Sequence, residues 1–381
     1  MKAPERGQRG SPDFLLLILT LLLVGFGLVM VFSASSSMSV SKPAFNNDAL
    51  YFLKRQLLWV GLGTFVMLVM MNIHYQKYKK LFLLLFLGTL ALLILVPIMG
   101  DLRNGARSWI FGVQPTEFAK LAIILYLAAI IAKKDEKFRD FKRGLLPVMI
   151  VVGFFAFLIM LQPDFGSCAI LVMCASAIVV AGGSNLKHIT LSFAVLLGLA
   201  ALGMSFYFLL NPGADFGFRG DRFTAFLDPA SDPQGSGYHM LRSLEAFGHG
   251  GLTGTGLGNS VQKLFYLPYA YNDFIFAVIG EELGFIGTTV FLLFYLAFIW
   301  RALIVSLRCP DIYGTLVGIG IVSLIAIQAL INMGGVSGAI PVTGVPLPFI
   351  SYGGSSMLTL LAGMGILLSI SREYNRVGKP A

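Results

Sequence analysis

Asp273 sits where a polar stretch gives way to a long apolar run, in Leu267-Pro268-Tyr269-Ala270-Tyr271-Asn272-Asp273-Phe274-Ile275-Phe276-Ala277. A carboxylate at the edge of a membrane is poorly solvated and is seldom kept there without a use. It stands within reach of a water-soluble group on a lipid-anchored molecule, where it can take a proton from a weak nucleophile. The same position also suits a helix start, with Asn272 or Asp273 satisfying free amides at the positive end of the helix dipole. Glu281 and Glu282 follow in the apolar run. On a continuous helix Glu281 lies about 80° round from Asp273 and about 12 Å further along, with Glu282 on nearly the opposite side. Both acids need partners at that depth, and a Lys or Arg on another helix would serve.

A second group precedes and opens another apolar run. Arg103, Arg107 and Trp109 come first, then Gln114-Pro115-Thr116-Glu117-Phe118-Ala119-Lys120. Arginine suits bidentate binding of phosphate, and tryptophan suits either sugar stacking or anchoring at a membrane interface. Glu117 and Lys120, three residues apart on a helix, can neutralise one another. Apolar residues there would remove a sizeable insertion cost, so the pair also hints at a polar cavity. In Gln162-Pro163-Asp164-Phe165-Gly166, Asp164 either caps the following helix or contributes to a site. The segment from Pro341 to Ser356, with Pro346, Pro348, Ser351 and Ser355, cannot be regular helix. At membrane depth such backbone must be buried or line an aqueous cavity, so a structured cavity wall is expected, with an ordinary outer loop as the alternative.

Other patterns carry less. The glycines from Gly248 to Gly258 resemble a phosphate loop, but no strand or βαβ unit surrounds them, which leaves a flexible turn or an anion nest. His239 and His249 lack ligand spacing, and no Ser-His-Asp set, zinc motif or P-loop is present. Cys168, Cys174 and Cys309 show neither pairing nor metal spacing and read as small buried or reduced residues.

The elements that must position these residues follow from composition. Of 381 residues, 56% are hydrophobic and 12% charged, about half the charged share of a soluble domain. Apolar runs near twenty residues recur throughout, which excludes a soluble α/β enzyme and disfavours a β-barrel. The expected fold is an all-α polytopic membrane protein with about ten spans, near 13–35, 57–73, 81–99, 115–132, 145–161, 164–182, 188–210, 273–300, 312–333 and 352–371. Residues 13–371 form one transmembrane domain between short tails, 1–12 and 372–381, with a large loop over 211–272. The first run follows Lys2, Arg6 and Arg9 like a signal peptide, but it is too long for one and reads as a retained helix. Alternate loops divide the Lys and Arg residues about 18 to about 9, which sets both tails in the cytoplasm. The net charge of +9 therefore reflects cytoplasmic loops rather than nucleic-acid binding. The long loop, 101–113 and 334–351 fall outside, where ATP is normally absent and the substrate must bring the energy.

Taken together, Asn104-Gly105-Ala106-Arg107-Ser108-Trp109-Ile110, the Gln114–Lys120 and Gln162–Gly166 segments, Asp273–Ala277, Glu281-Glu282-Leu283-Gly284 and the Pro341–Ser356 stretch resemble the SEDS family (shape, elongation, division and sporulation). The match spans nearly the whole chain and is nearest the division and spore-cortex branch. The resemblance implies ten spans and polymerisation of lipid II, the undecaprenyl-diphosphate-linked disaccharide-peptide, at the outer leaflet of the bacterial cytoplasmic membrane. It implies a class B penicillin-binding protein as partner. The family's catalytic Asp falls on Asp273, and its functional Arg, Glu and Lys fall on Arg107, Glu117 and Lys120. Trp109, Asp164, Ser351 and Ser355 are further candidates for binding substrate or pyrophosphate, with Glu281, Glu282, Pro341 and Pro348 behind them. Tyr269, Asn272 and Thr116 depart from residues common in the family; the loss of an acid at Tyr269 removes that position as a second carboxylate or metal ligand. On this reading Asp273 takes the proton of the acceptor hydroxyl as it attacks the donor's anomeric carbon, with inversion. Arg107, Lys120 or a divalent cation, Mg2+ or Mn2+, stabilises the departing pyrophosphate. No organic cofactor is expected. A lipid II flippase, or a non-catalytic scaffold for the transpeptidase, are the alternatives.

Overall fold

Long apolar runs fold as helices because a helix satisfies its own backbone N–H and C=O groups where no water can. The computed structural model of the chain describes residues 10–103, 106–110, 112–162, 164–184, 187, 226–235 and 237–377. In chain order the helices are α1 (Phe14–Ser41), α2 (Tyr51–Asn72), α3 (Tyr75–Met99), α4 (Pro115–Lys134), α5 (Leu146–Met160), α6 (Phe165–Ala181), α7 (Tyr238–Gly250), α8 (Ile275–Leu307), α9 (Ile312–Val336) and α10 (Gly354–Val377). Among the described residues, eight helical stretches are long and apolar enough to cross a membrane, and α6 is a shorter apolar helix. The run expected at 188–210, with residues 211–225 of the long loop, lies outside the described residues. A hairpin joins α3 to α4, pairing β1 (Asp101–Arg103) antiparallel with β2 (Ala106–Trp109).

Helix ends follow local chemistry. Asp13 caps α1 by accepting from the Leu16 amide at 2.9 Å, Asp164 caps α6 through Ser167, and Asp311 caps α9 through Gly314. α4 opens on Pro115 with Glu117 in its first turn and closes on Lys133 and Lys134, the arrangement favoured by the helix dipole. α2 starts at Tyr51 rather than near 57 because Asp48 turns the chain, accepting from the Leu50 amide and from Lys54 Nζ at 2.6 Å.

Two polar layers bracket the bundle. Asp13 pairs with Arg301 at 2.5 Å, and Ser33 donates to Glu282 at 2.6 Å. Along α1 these levels are about 30 Å apart, one hydrocarbon thickness. Both tails meet in the Asp13 layer: Arg372 donates to the Gly10 carbonyl at 3.0 Å and Asn375 to that of Ser11 at 2.7 Å. Small residues let helices close on each other. A side chain at Gly63 would strike Leu361, and one at Gly365 would strike the α2 backbone at Met67. Gly27 admits the Phe349–Ile350 backbone against α1, a contact that any Cβ would block.

One expected helix is divided. The apolar run after Asp273 reads as continuous, but α8 breaks at Gly284, whose φ of 65° and ψ of −171° are non-helical. Residues 275–283 form a short buried helix, and residues 285–307, about 34 Å long, cross the layer.

Candidate active site

The break in α8 exposes backbone groups that the Gly-rich segment satisfies. Phe285 and Ile286 donate to the carbonyls of Gly251 and Leu252, and Thr255 and Gly256 donate to those of Glu281 and Glu282, all at 2.9–3.0 Å. A Cβ at Gly250 or Gly254 would lie 2.2 Å from the carbonyl oxygen of Gly280 or Glu282. These glycines therefore exist for close packing on α8. The segment is the expected turn, but the amides of Gly254, Thr255 and Gly256 are already engaged, which leaves them no free N–H for an anion.

Glu281 and Glu282 are fully buried and partnered. Glu281 accepts from the Ser260 hydroxyl, from the Val261 amide at 2.9 Å and from the Gln262 amide, and it faces His249 Nδ1 at 2.8 Å. Glu282 accepts from Lys263 Nζ at 2.7 Å and from Ser33. The expected basic partner on another helix is instead Lys263, on the loop before α8. The two acids staple that loop to the broken helix, which fixes the approach to Asp273.

Asp273 itself does not cap α8. The cap position is Phe274, with no side-chain cap bond. The Asp273 side chain instead lines a cavity with Asn332, Gly335, Thr343, Gly344 and Val345, about 160 Å³ of empty space with open solvent included. Gly344, at φ 74°, forms the facing wall: a Cβ there would lie 3.6 Å from Asp273 Oδ2. Asn332 Nδ2 donates to the Asp273 carbonyl at 2.8 Å and to the Val345 carbonyl at 2.7 Å. Beside the acid, Tyr271 packs on Phe52 with centroids 4.3 Å apart, and its carbonyl accepts from the Tyr352 amide at 3.0 Å. Burial, with Tyr352, Tyr269 and Asp273 nearby, pushes the Tyr271 phenol up to about 12. It stays protonated and cannot serve as a base near neutral pH.

Glu117 and Lys120 form a 2.7 Å ion pair with side chains 4% and 1% exposed. Lys120 Nζ also reaches Gln328 Oε1 at 3.4 Å, and Gln328 Nε2 donates to the Pro346 carbonyl at 3.0 Å. The pair both neutralises itself and belongs to a buried polar file under the 341–350 segment. That segment is the structured wall the sequence suggests. Ser351 Oγ accepts from the Leu347 amide, Pro348 accepts from Tyr295, and Gly335 on α9 packs near the Pro341 carbonyl. Ser355 Oγ accepts from the Gln114 amide, and Gln114 Nε2 donates to Asp164. Asp164 is thus a cap that also ties α6 to the start of α4, and Ser351 and Ser355 hold backbone. Arg107 is exposed and directs Nη1 to the last carbonyls of α3, Pro97 and Ile98, at 3.5 Å each; Trp109 is half-buried on β2.

Lys263, Gln328 and Asn332 were not singled out by the sequence. Lys263 lies in a loop where a lysine is ordinary, and a lone amide in an apolar helix carries a weak signal. The spacing of Gln328 and Asn332, one helical turn apart in an apolar helix, was the available clue.

A membrane bundle with a broken helix beside a cavity lined by Asp273 defines the class. The family described as cell cycle protein, covering FtsW, RodA and SpoVE, matches residues 13–376. The chain belongs to this family, the SEDS proteins. It is 45% identical over 377 residues to stage V sporulation protein E of Bacillus subtilis (strain 168), covering 97% of this chain and 99% of that protein. It is 40% identical over 365 residues to a probable peptidoglycan glycosyltransferase FtsW of Geobacter metallireducens, covering 94% of each. Among solved structures, a chain described under "Structural coordination of polymerization and crosslinking by a peptidoglycan synthase complex" superposes with TM-score 0.74 at 27% identity, covering 96% of this chain and 98% of that one. The rod shape determining protein RodA of Thermus thermophilus superposes with TM-score 0.65 at 27% identity, covering 95% and 97%.

Proposed function

We propose that this chain is a peptidoglycan glycosyltransferase that polymerises lipid II at the outer face of the bacterial cytoplasmic membrane. The observation that carries this reading is Asp273, the one carboxylate among the described residues that lines the cavity, set in a family whose members include probable peptidoglycan glycosyltransferases. Asn332, which holds it, lies about 30 Å along α9 from Ile312, one hydrocarbon thickness. The excess of Lys and Arg in the other loops sets both tails inside.

In the proposed reaction the acceptor sugar presents a hydroxyl at the cavity mouth. Asp273 takes its proton as the oxygen attacks the anomeric carbon of the donor, and the donor's pyrophosphate leaves with inversion at that carbon. Such a base contributes about 10²–10⁴-fold. The recess beside Asp273 is too small to enclose a sugar, so in this reading the acceptor hydroxyl meets the acid at the mouth while both lipid tails remain in the bilayer. Arg107 and Lys120 are the proposed cations for the departing phosphates. Lys120 would have to exchange its contact with Glu117 or Gln328 to reach them. One carboxylate fits a divalent cation held largely by substrate phosphates, the usual manner for Mg2+; such a cation would neutralise charge on the pyrophosphate.

A solved relative belongs to a peptidoglycan synthase complex, which supports a class B penicillin-binding protein as partner here. The test is to incubate the purified chain, alone and with that transpeptidase, with labelled lipid II and resolve the products on a gel. A ladder of glycan chains is expected. Starting lipid unchanged in both arms contradicts the proposal, and lipid movement across vesicles without polymer would identify a flippase.

A further inference from the structure

We propose that Asn332 is a positioning residue that sets where the Asp273 carboxylate stands. The inference rests on the reading of Asp273 as the reacting acid. Asn332 is 3% exposed and lies on α9, fifty-nine residues from Asp273 in sequence. Both hydrogens of its amide nitrogen are used, one on the Asp273 carbonyl at 2.8 Å and one on the Val345 carbonyl at 2.7 Å. Two carbonyl oxygens facing one side-chain atom fix the amide orientation, since the flipped amide would set oxygen against oxygen.

The Asp273 backbone needs such a hold. It lies outside the regular turns of α8, whose first capping carbonyl is that of Phe274. Nothing in the helical ladder therefore fixes its carbonyl. The opposite wall is the 342–345 segment, and Gly344 there leaves its φ of 74° and the space beside Asp273 Oδ2 open. A single side-chain nitrogen thus holds both the acid's backbone and the wall that faces it. Gln328, one turn away, repeats the device by joining Lys120 to the Pro346 carbonyl. The two amides lock the 342–346 backbone between the Glu117–Lys120 pair and Asp273.

An acid displaced by about 1 Å loses up to about 10²-fold in rate while substrate binding, spread over the lipid and sugars, is retained. Leucine has nearly the shape of asparagine but donates no hydrogen bond. Serine keeps one donor. The test compares wild type, Asn332→Leu and Asn332→Ser in the full chain with its partner transpeptidase, using labelled lipid II. Asn332→Leu is expected to lower kcat about 10- to 100-fold with KM within about twofold, and Asn332→Ser to fall between. Hydrogen exchange is followed in the same samples. Backbone amides of residues 270–274 and 342–346 are expected to exchange about tenfold faster in Asn332→Leu, with the rest of the folded chain unchanged. Wild-type kcat and wild-type exchange in Asn332→Leu overturn the proposal. So does a fall in activity explained entirely by a smaller folded fraction, with kcat per folded molecule unchanged. If wild type makes no polymer, the functional reading fails, and the exchange measurement still decides whether Asn332 holds this backbone.

Discussion

Buried acids in this protein divide by what they touch. Glu117 is matched by Lys120, Glu282 by Lys263, and Asp13 by Arg301. Glu281 is spent on loop amides and Ser260. Asp273 lines a cavity with Asn332, Gly344 and Val345. Its neighbour Tyr271 is excluded as the base by a phenol pushed up to about 12. The sign of that shift makes a test. The raised value keeps Tyr271 neutral through the whole range up to about pH 10, so no charge change at this residue can shape the rate profile there. Tyr271→Phe is therefore expected to leave the pH dependence of polymerisation unchanged in position, even if the rate falls from poorer packing on Phe52. A limb of the profile that disappears in Tyr271→Phe would contradict the assignment.

The elements nearest the site are held by contacts between distant parts of the chain. Gly284 lets α8 break, the Gly251–Gly256 backbone fills the gap, and Glu281 and Glu282 pin the following loop. Removing one member of a buried ion pair strands the other, at about 3–5 kcal/mol. Lys263→Met is thus expected to lower the thermal midpoint of the purified protein clearly, and Lys263→Met with Glu282→Leu to recover much of the loss. Equal midpoints for wild type and the single variant would show that the staple contributes nothing. Charge inside apolar runs is conspicuous, so Asp273, the Glu117–Lys120 pair and the two acids of α8 were legible in the sequence. Their partners were not. Lys263 reads as an ordinary loop lysine, and Ser33, 249 residues from Glu282, as an ordinary hydroxyl in a first helix. Hydropathy also runs smoothly across Gly284, because the chain stays apolar on both sides of the break. The fold class and nine of the expected helices followed from run length alone. The tight glycine packing of the 248–258 segment depends on α8 and could not be read locally.

At the scale of the molecule, two polar layers about one bilayer core apart frame the helices, and the tails meet in one of them. In the proposed topology, which the Lys and Arg bias of the loops supports, the tails lie inside and the cavity beside Asp273 opens at the outer surface. Single cysteines placed at Gly10 and at Asn47, in a background lacking the three native cysteines, are expected to report this. A membrane-impermeant thiol reagent added to intact cells should label position 47 and spare position 10; the reverse pattern would invert the topology. The role of the Asp273 carboxylate is decided by one substitution. Purified wild type and Asp273→Asn, each with the partner transpeptidase, are given labelled lipid II under conditions where both elute as folded protein. Wild type is expected to build glycan chains and Asp273→Asn to build none, a loss of at least about 10²-fold. Chains of ordinary length and yield from Asp273→Asn would contradict the account.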